Sequence, residues 1–200
     1  MAGTALNNDV TTIVVDRVAQ LWAGLAVPSA GARLTLDADG TPDATANPNA
    51  IHLGHTIEGT TISIVSAITK HFVDELEAPF KASVDATDMM FEGRFAQVLD
   101  EDVLKQITAP FGTYATGAGY KEFSIGRKTL TYTSLALIFP TPMDSTKFAV
   151  AHIYNGLNEA GLTYSVSRKG MADTPFKFVA YGLSTRAAGD TVGKYWWQIA

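Results

Sequence analysis

Phe80-Lys81-Ala82-Ser83-Val84-Asp85-Ala86 alternates apolar or small side chains with polar ones at every step. A period of two marks a strand with one buried and one wet face, because successive side chains on a pleated backbone point to opposite sides. Leu162, Tyr164 and Val166 repeat the pattern against Thr163, Ser165 and Ser167. Four more stretches, Ile62–Ile68, Leu130–Phe139, Phe148–Tyr154 and Phe176–Leu183, carry apolar residues on both faces. Such strands are buried on two sides, either inside the fold or against another subunit. Val10–Val15 reads as an N-terminal strand, with the option of running into a helix over Asp16–Leu25.

One segment has helical chemistry. Asp100 can cap it, Glu101 and Asp102 place negative charge in the first turn, and Leu99, Val103, Leu104 and Ile107 form one apolar stripe. Pro110 and Gly112 end it. A single helix over residues 100–109 among about eight or nine strands predicts an all-β or β-rich fold, a β-sandwich or barrel with the helix flanking one open face. Residues 28–50 are rich in Ala, Gly, Pro, Asp, Asn and Thr, with Leu34 and Leu36 as their apolar anchors. Asp39-Gly40 is a hairpin-turn pair, so this segment is expected to be a long projecting hairpin or arm. Phe111–Tyr120 reads as a flexible connector.

The chain of 200 residues suits a single domain, residues 1–200, and its size allows a core without staples. It has no cysteine, which excludes disulfide frameworks, thiol catalysis and thiolate metal sites. Charged residues make up only 18%, a low share that suggests surface covered by partners. The net charge of −5 argues against a basic nucleic-acid binder. Charge is also divided along the chain. Residues 1–112 hold 15 acidic and 6 basic side chains, a balance of −9, whereas residues 113–200 hold 5 and 9, a balance of +4. Two readings of that split stand: local surface composition, or oppositely charged surfaces that meet head to tail. The longest strongly apolar run, Leu135–Phe139, is far too short to span a bilayer, and no secretion address opens the chain.

A search for chemistry yields fragments. His52-Leu53-Gly54-His55 has helical metal-ligand spacing, but its neighbours favour a strand and turn, where an odd offset sends the rings apart. Thr35–Gly40 imitates the start of a calcium loop, yet position twelve is Ala46 instead of a bidentate Glu. Asp74, Glu75 and Glu77 form an acidic knot of the kind common in solvated turns, and Arg127-Lys128 and Arg168-Lys169 fall short of a phosphate-binding stripe. Trp196-Trp197 near the C-terminus would place one ring toward the core and one toward a partner if the segment is a strand; the alternative is that both are structural. No catalytic, cofactor or metal constellation emerges, and the chain is read as a non-enzyme.

The stretch Ile51-His52-Leu53-Gly54-His55-Thr56-Ile57-Glu58-Gly59 resembles a turn found early in the major tail proteins of long-tailed, non-contractile bacteriophages. The layout is similar too. Ala5-Leu6-Asn7-Asn8-Asp9 opens the chain, a variable Ala/Pro/Thr-rich stretch follows, and an acidic cluster over Lys70–Glu77 precedes the strands Phe80–Ala86 and Met90–Ala96. Strands of the kind Leu162–Arg168 and Thr174–Tyr181 fill the C-terminal half, while Trp196-Trp197 departs from the family's more polar ending.

The resemblance implies a virion protein of the phage tail, assembled in the host cytoplasm. Its subunits would join their sheets into homo-hexameric rings that stack into a tail tube, the conduit for DNA ejection. Implied partners are further copies of the chain, the tape measure, the tail terminator and the distal tail protein. DNA would pass without specific binding, and no membrane or cofactor is involved. Arg33, Asp37, Asp39 and Gly40 in the projection, Asp74, Glu75 and Glu77 in the acidic cluster, and Trp196 and Trp197 become inter-subunit or ring-stacking candidates. A head–tail connector or tail terminator ring is the neighbouring alternative, and a small β-barrel binding or enzyme domain is the alternative from another class.

Overall fold

The computed structural model describes residues 11–15, 19–71, 81–95, 105, 112–126, 129–141, 144–161, 163 and 174–199. The described residues form ten strands: β1 (Thr11–Val15), β2 (Gln20–Ala23), β3 (Ile51–His71), β4 (Lys81–Phe95), β5 (Gly112–Gly117), β6 (Tyr120–Ile125), β7 (Thr133–Pro140), β8 (Phe148–Asn158), β9 (Thr174–Ala180) and β10 (Gly193–Trp197). The expected β-rich architecture is therefore present, and its strands pair antiparallel. The helix expected over 100–109 lies outside the described residues apart from Lys105, as do Leu162 and Tyr164–Ser167. The option of a helix over Asp16–Leu25 is overturned at Gln20–Ala23, which forms β2 between β3 and β7.

Eight strands share one sheet in the order β1-β3-β2-β7-β8-β9-β4, with β10 on β8 and a further pairing of β3 with β4. That last pairing returns the path to its start, so β3, β2, β7, β8, β9 and β4 make a closed antiparallel circuit. Closure pairs edges that would otherwise be bare. Two long strands turn the corners. The first residues of β3 pair with β2, its middle pairs with β1 and β4, and register shifts mark the change. Gly59, at φ 84, stands inside the shift between Ile57 and Thr61, a backbone conformation that other residues adopt only with strain. At the opposite corner β8 passes from β7 and β10 to β9 beyond Ile153.

Inside the circuit lies the main core. Leu21, Leu53, Ile62, Phe91, Phe95, Leu135, Leu137, Ile153, Phe176 and Phe178 are all buried there. The alternate residues of β7 and β8, Ala136, Ile138 and Val150, point outward into a second cluster with Leu25 and Leu34. Of the four stretches read as apolar on both faces, Leu130–Phe139 and Phe148–Tyr154 thus find a second cover within the same chain, whereas β9 alternates buried with half-buried residues and Ser66, Ala67 and Ile68 are exposed.

That cover is the stretch once expected to project. Residues 24–50 lie across the outer face, and Leu34 is only 4% exposed. The hairpin turn at Asp39-Gly40 does form, but it is a single tight loop closed by a Leu36–Pro42 bridge and by Asp37 N donating to Thr41 O at 2.8 Å. Asn47, 3% exposed, ties the segment together by accepting from Ala26 N at 3.1 Å and donating to Asp43 O at 3.1 Å. The segment is a strap, because the sheet beneath it supplies most of the apolar surface that its own sequence lacks.

What projects instead is the far end of the β3–β4 ladder. Register runs out to Lys70↔Ala82 and His71↔Lys81, well past the last β4–β9 pair at Met90. Val84, from the alternating stretch that predicts a half-buried strand, is 63% exposed, and its cross-strand partner Ile68 is 43% exposed. The alternation correctly marks a strand, but this end of it has left the core. Phe111–Tyr120, expected as a connector, supplies most of a second separate hairpin, β5–β6, whose Gly117–Tyr120 turn also explains the Gly-Ala-Gly run.

Candidate assembly surfaces

Three features present unsatisfied backbone or apolar surface. β1 hydrogen-bonds only to β3, and β10 only to β8, so each has an outer edge with no strand on it among the described residues. On β10 the exposed side chains grow toward the C-terminus: Tyr195 packs on the core, Trp197 is 56% exposed and Ile199 is 79% exposed. Tyr195 and Trp197 stand on one face with ring centroids 5.8 Å apart. The β3–β4 ribbon and the β5–β6 hairpin, with Tyr120 60% and Ile125 81% exposed, complete the set.

The tandem tryptophans separate as adjacent strand residues should. Trp196 enters the second cluster beneath the strap, with the Arg33 guanidinium 5.8 Å from its ring centre. Its indole nitrogen is buried without a hydrogen-bond partner among the described residues. Asp37 and Asp39 lie exposed in the strap's turn, where Thr41 donates to Asp39 through its hydroxyl at 2.7 Å and its amide at 3.0 Å. Those bonds, the hydroxyl first, hold the Asp39 carboxyl below the ordinary value. Gly40 is buried beside the Phe148 ring. The fold therefore gathers Arg33, Asp37, Asp39, Gly40 and Trp196 on one side, while Trp197 faces elsewhere. Asp74, Glu75 and Glu77 lie outside the described residues.

Sequence reasoning missed a buried polar cluster that fastens the strap. Ser134 Oγ and His152 Nε2 are 2.7 Å apart across β7 and β8, and both residues are buried. The His152 ring meets Tyr154 edge-on at 5.2 Å, and the Tyr154 hydroxyl donates to Asp190 Oδ1 at 2.8 Å. Arg186 lies 4.1 Å over the Tyr154 ring, donates to Asp190 Oδ2 at 2.7 Å and reaches the strap carbonyl of Pro28. Lys194 donates to the strap carbonyl of Ala32 at 2.9 Å and stands 4.0 Å from Asp190. Burial, then the charges of Arg186 and Lys194, push the His152 imidazole down to about 4. Burial and the bond to Asp190 push the Tyr154 phenol up to about 12, while that bond helps to hold the Asp190 carboxyl low. The one hint in the sequence is His152 itself, the lone imidazole within the apolar stretch Phe148-Ala149-Val150-Ala151-His152-Ile153-Tyr154. A serine beside a histidine is also a nucleophile–base geometry, but both residues of this pair are buried and they line none of the grooves below.

The grooves are open and shallow in chemistry. One of about 420 Å³ runs past Glu92, Arg94 and Lys177, where Glu92 and Lys177 pair at 3.4 Å. Because β4 lies beside β9, that pair also joins the acidic and basic halves of the chain. A second, of about 580 Å³, lies between the β4 ribbon (Val84, Thr87) and the segment from Ala188 to Gly193. The His52–His55 pair straddles Gly54, at φ 96 in β3, and no group of three metal-ligating side chains occurs among the described residues. No helix among them is long and apolar enough to cross a membrane. In comparisons with known proteins, the chain matches no protein-family model and no curated protein.

Proposed function

We propose that this chain is a structural subunit that assembles with copies of itself edge to edge, as a tail-tube protein of the phage kind its sequence resembles. The observation that carries the reading is the pair of strands, β1 and β10, each bonded along one side only among the described residues. An exposed edge is a row of donors and acceptors that a second chain can complete, and proteins that stay single blunt such edges with charge or proline. β10 does the opposite at its end, with Trp197 and Ile199 exposed. Gln198 N donates inward to Phe148 O, so by antiparallel alternation Trp197 turns its amide away from β8. The pairing of one subunit's β10 with a neighbour is a heterologous contact, and repetition closes a ring or extends a filament. Within this proposal the subunits form hexameric rings that stack as a DNA conduit, in company with other tail proteins. The acidic balance suits a wall that does not hold phosphate.

The test is sedimentation velocity with negative-stain imaging at rising concentration. Long tubes support the proposal, a ring of fixed size favours a connector or terminator, and a monomer at millimolar concentration defeats it. Trp197→Lys should leave the thermal unfolding curve in place while abolishing the large species. Tubes of undiminished length from that variant would remove β10 from the interface.

A further inference from the structure

We propose that residues 24–50 form a strap that acid releases from the sheet, and that the trigger is proton uptake by His152 beneath it. The strap hides an apolar face made by Trp22, Ala136, Ile138, Val150 and Trp196. Its leading half is fastened through main-chain acceptors: Arg186 holds the Pro28 carbonyl, and Lys194 holds the Ala32 carbonyl at 2.9 Å. Both cations depend on the same carboxylate, Asp190, at 2.7 Å and 4.0 Å. The cluster thus already carries two positive charges against one negative.

His152 sits in this cluster, 1% exposed. The groups around it are Ser134 from β7, Tyr154 from β8, Arg186 and Asp190 from the segment after β9, and Lys194 from β10. The strap contributes carbonyls to Arg186 and Lys194. A second proton makes both ring nitrogens donors, so Ser134 must turn to accept, its own proton going to the Ile153 carbonyl at 3.4 Å. The imidazolium is then a third cation beside one carboxylate, and it is itself buried although Asp190 and Lys194 are half-buried, which makes its charge costly. The segment after β9 and the strap lie on the solvent side of this face, and their withdrawal admits water to the ring. Arg186 leaves with its segment, so the strap loses that fastening in the same event. The strap's small apolar complement, Leu25, Leu34 and Leu36, makes it the part that can open while the barrel stays closed.

The experiment is hydrogen exchange on the full chain at pH 7.5 and pH 5, corrected for intrinsic rates. The reporter of release is the Gly24 amide, bonded to Ser134 O of β7, while the amides of Asp37, Gly40, Asp43 and Asn47, bonded within the strap, report its opening as a unit. If release restores the imidazole from about 4 to 6.5, linkage raises strap opening by about 30-fold at pH 5. Amides of β7 and β8 should stay protected. His152→Gln, which keeps a partner for Ser134, should hold strap exchange at its neutral-pH level. Should that variant fail to fold, the His152 ring resonance of the unmodified chain must titrate together with strap opening. Equal loss of protection in strap and barrel, an undiminished acid response in His152→Gln, or a ring midpoint displaced from strap opening by more than a pH unit would each overturn the proposal. None of these readouts depends on whether the chain assembles.

Discussion

Replacing Gly40 by alanine tests whether residues 28–50 lie on the sheet or stand away from it. Gly40 has φ +84, and a Cβ there would fall 2.4 Å from Phe148 Cε1 and 2.5 Å from Cζ. Two costs follow. The left-handed backbone costs an L side chain about 1 kcal/mol, and forcing a methyl against a packed ring costs about 1–3 kcal/mol. Phe148 cannot simply retreat, because its amide is bonded to the Gln198 side chain at 2.9 Å and its ring packs in the second cluster. A stiffer unfolded chain gives back up to about 1 kcal/mol, so the expected loss is about 2–3 kcal/mol. In urea that moves the midpoint down by about 1 M. The strap supplies its own control. Gly31 has φ +83 with no atom within 4 Å of the Cβ position, so Gly31→Ala carries the backbone cost without the collision. The difference between the two variants isolates contact with Phe148, and Phe148→Leu in the Gly40→Ala background should recover part of it. If Gly40→Ala is no worse than Gly31→Ala, the strap does not sit on that ring and the cover over β7 and β8 is misplaced.

Three further outcomes follow from the same geometry. Since the folded chain holds His152 at about 4 against an ordinary 6.5, the unfolded chain binds more protons over that range; stability attributable to this group is complete above pH 6.5 and falls by about 3 kcal/mol by pH 4. Urea midpoints across that range, with His152→Gln as the flattened reference, check both sign and size. Gly156→Val should destabilise by about 2 kcal/mol or more, because its Cβ meets Leu135 Cδ1 at 2.6 Å and Thr133 O at 3.3 Å where β8 turns the corner; an unchanged thermal midpoint would mean that this corner has room. Glu92→Gln should change stability by less than about 0.5 kcal/mol, since both side chains of the Glu92–Lys177 pair are 40% or more exposed; a loss above 1 kcal/mol would show that the neighbouring groove is far drier than its open geometry suggests.

The parts of this fold that can be read from sequence are those where burial and period coincide. β7, β8 and β9 are apolar runs bounded by turn residues, and their strand character is plain. β2 escapes notice because Gln20-Leu21-Trp22-Ala23 is four residues long and follows a segment with mixed signals. β5–β6 is invisible for another reason: Ala115, Thr116, Lys121 and Glu122 are all exposed, and a ladder with so little buried leaves a weak hydrophobic period. The strap is the instructive error. Two leucines in some twenty residues look too few to anchor a segment, but they need only meet apolar side chains already turned outward from β7 and β8. The fastening cluster could not be read at all, since Pro28 meets Arg186 across 158 positions and Tyr154 meets Asp190 across 36.

The strap also narrows the ways in which copies of this chain can meet. The outer apolar face of β7 and β8 is not open to a neighbouring subunit, because residues 24–50 already occupy it. Six of the large apolar side chains left in water, Ile68, Val84, Tyr120, Ile125, Trp197 and Ile199, lie on two projecting hairpins and at one strand end, while Val27 in the strap and Leu130 and Tyr132 ahead of β7 are exposed singly. A two-stranded ribbon is marginal by itself in water, and the β3–β4 ribbon extends far past the strand that would support it. Its cross-strand pair Ile68–Val84 is left exposed among the described residues, and under the proposed assembly a neighbouring chain would lie along it. Association through edges and ribbons rests on backbone hydrogen bonds with modest apolar area, which fixes register and direction more strictly than a flat hydrophobic patch would. The proposed repetition at constant orientation along a tube would need that strictness, and a strap that keeps the apolar outer face of β7 and β8 covered removes a contact that would compete with it.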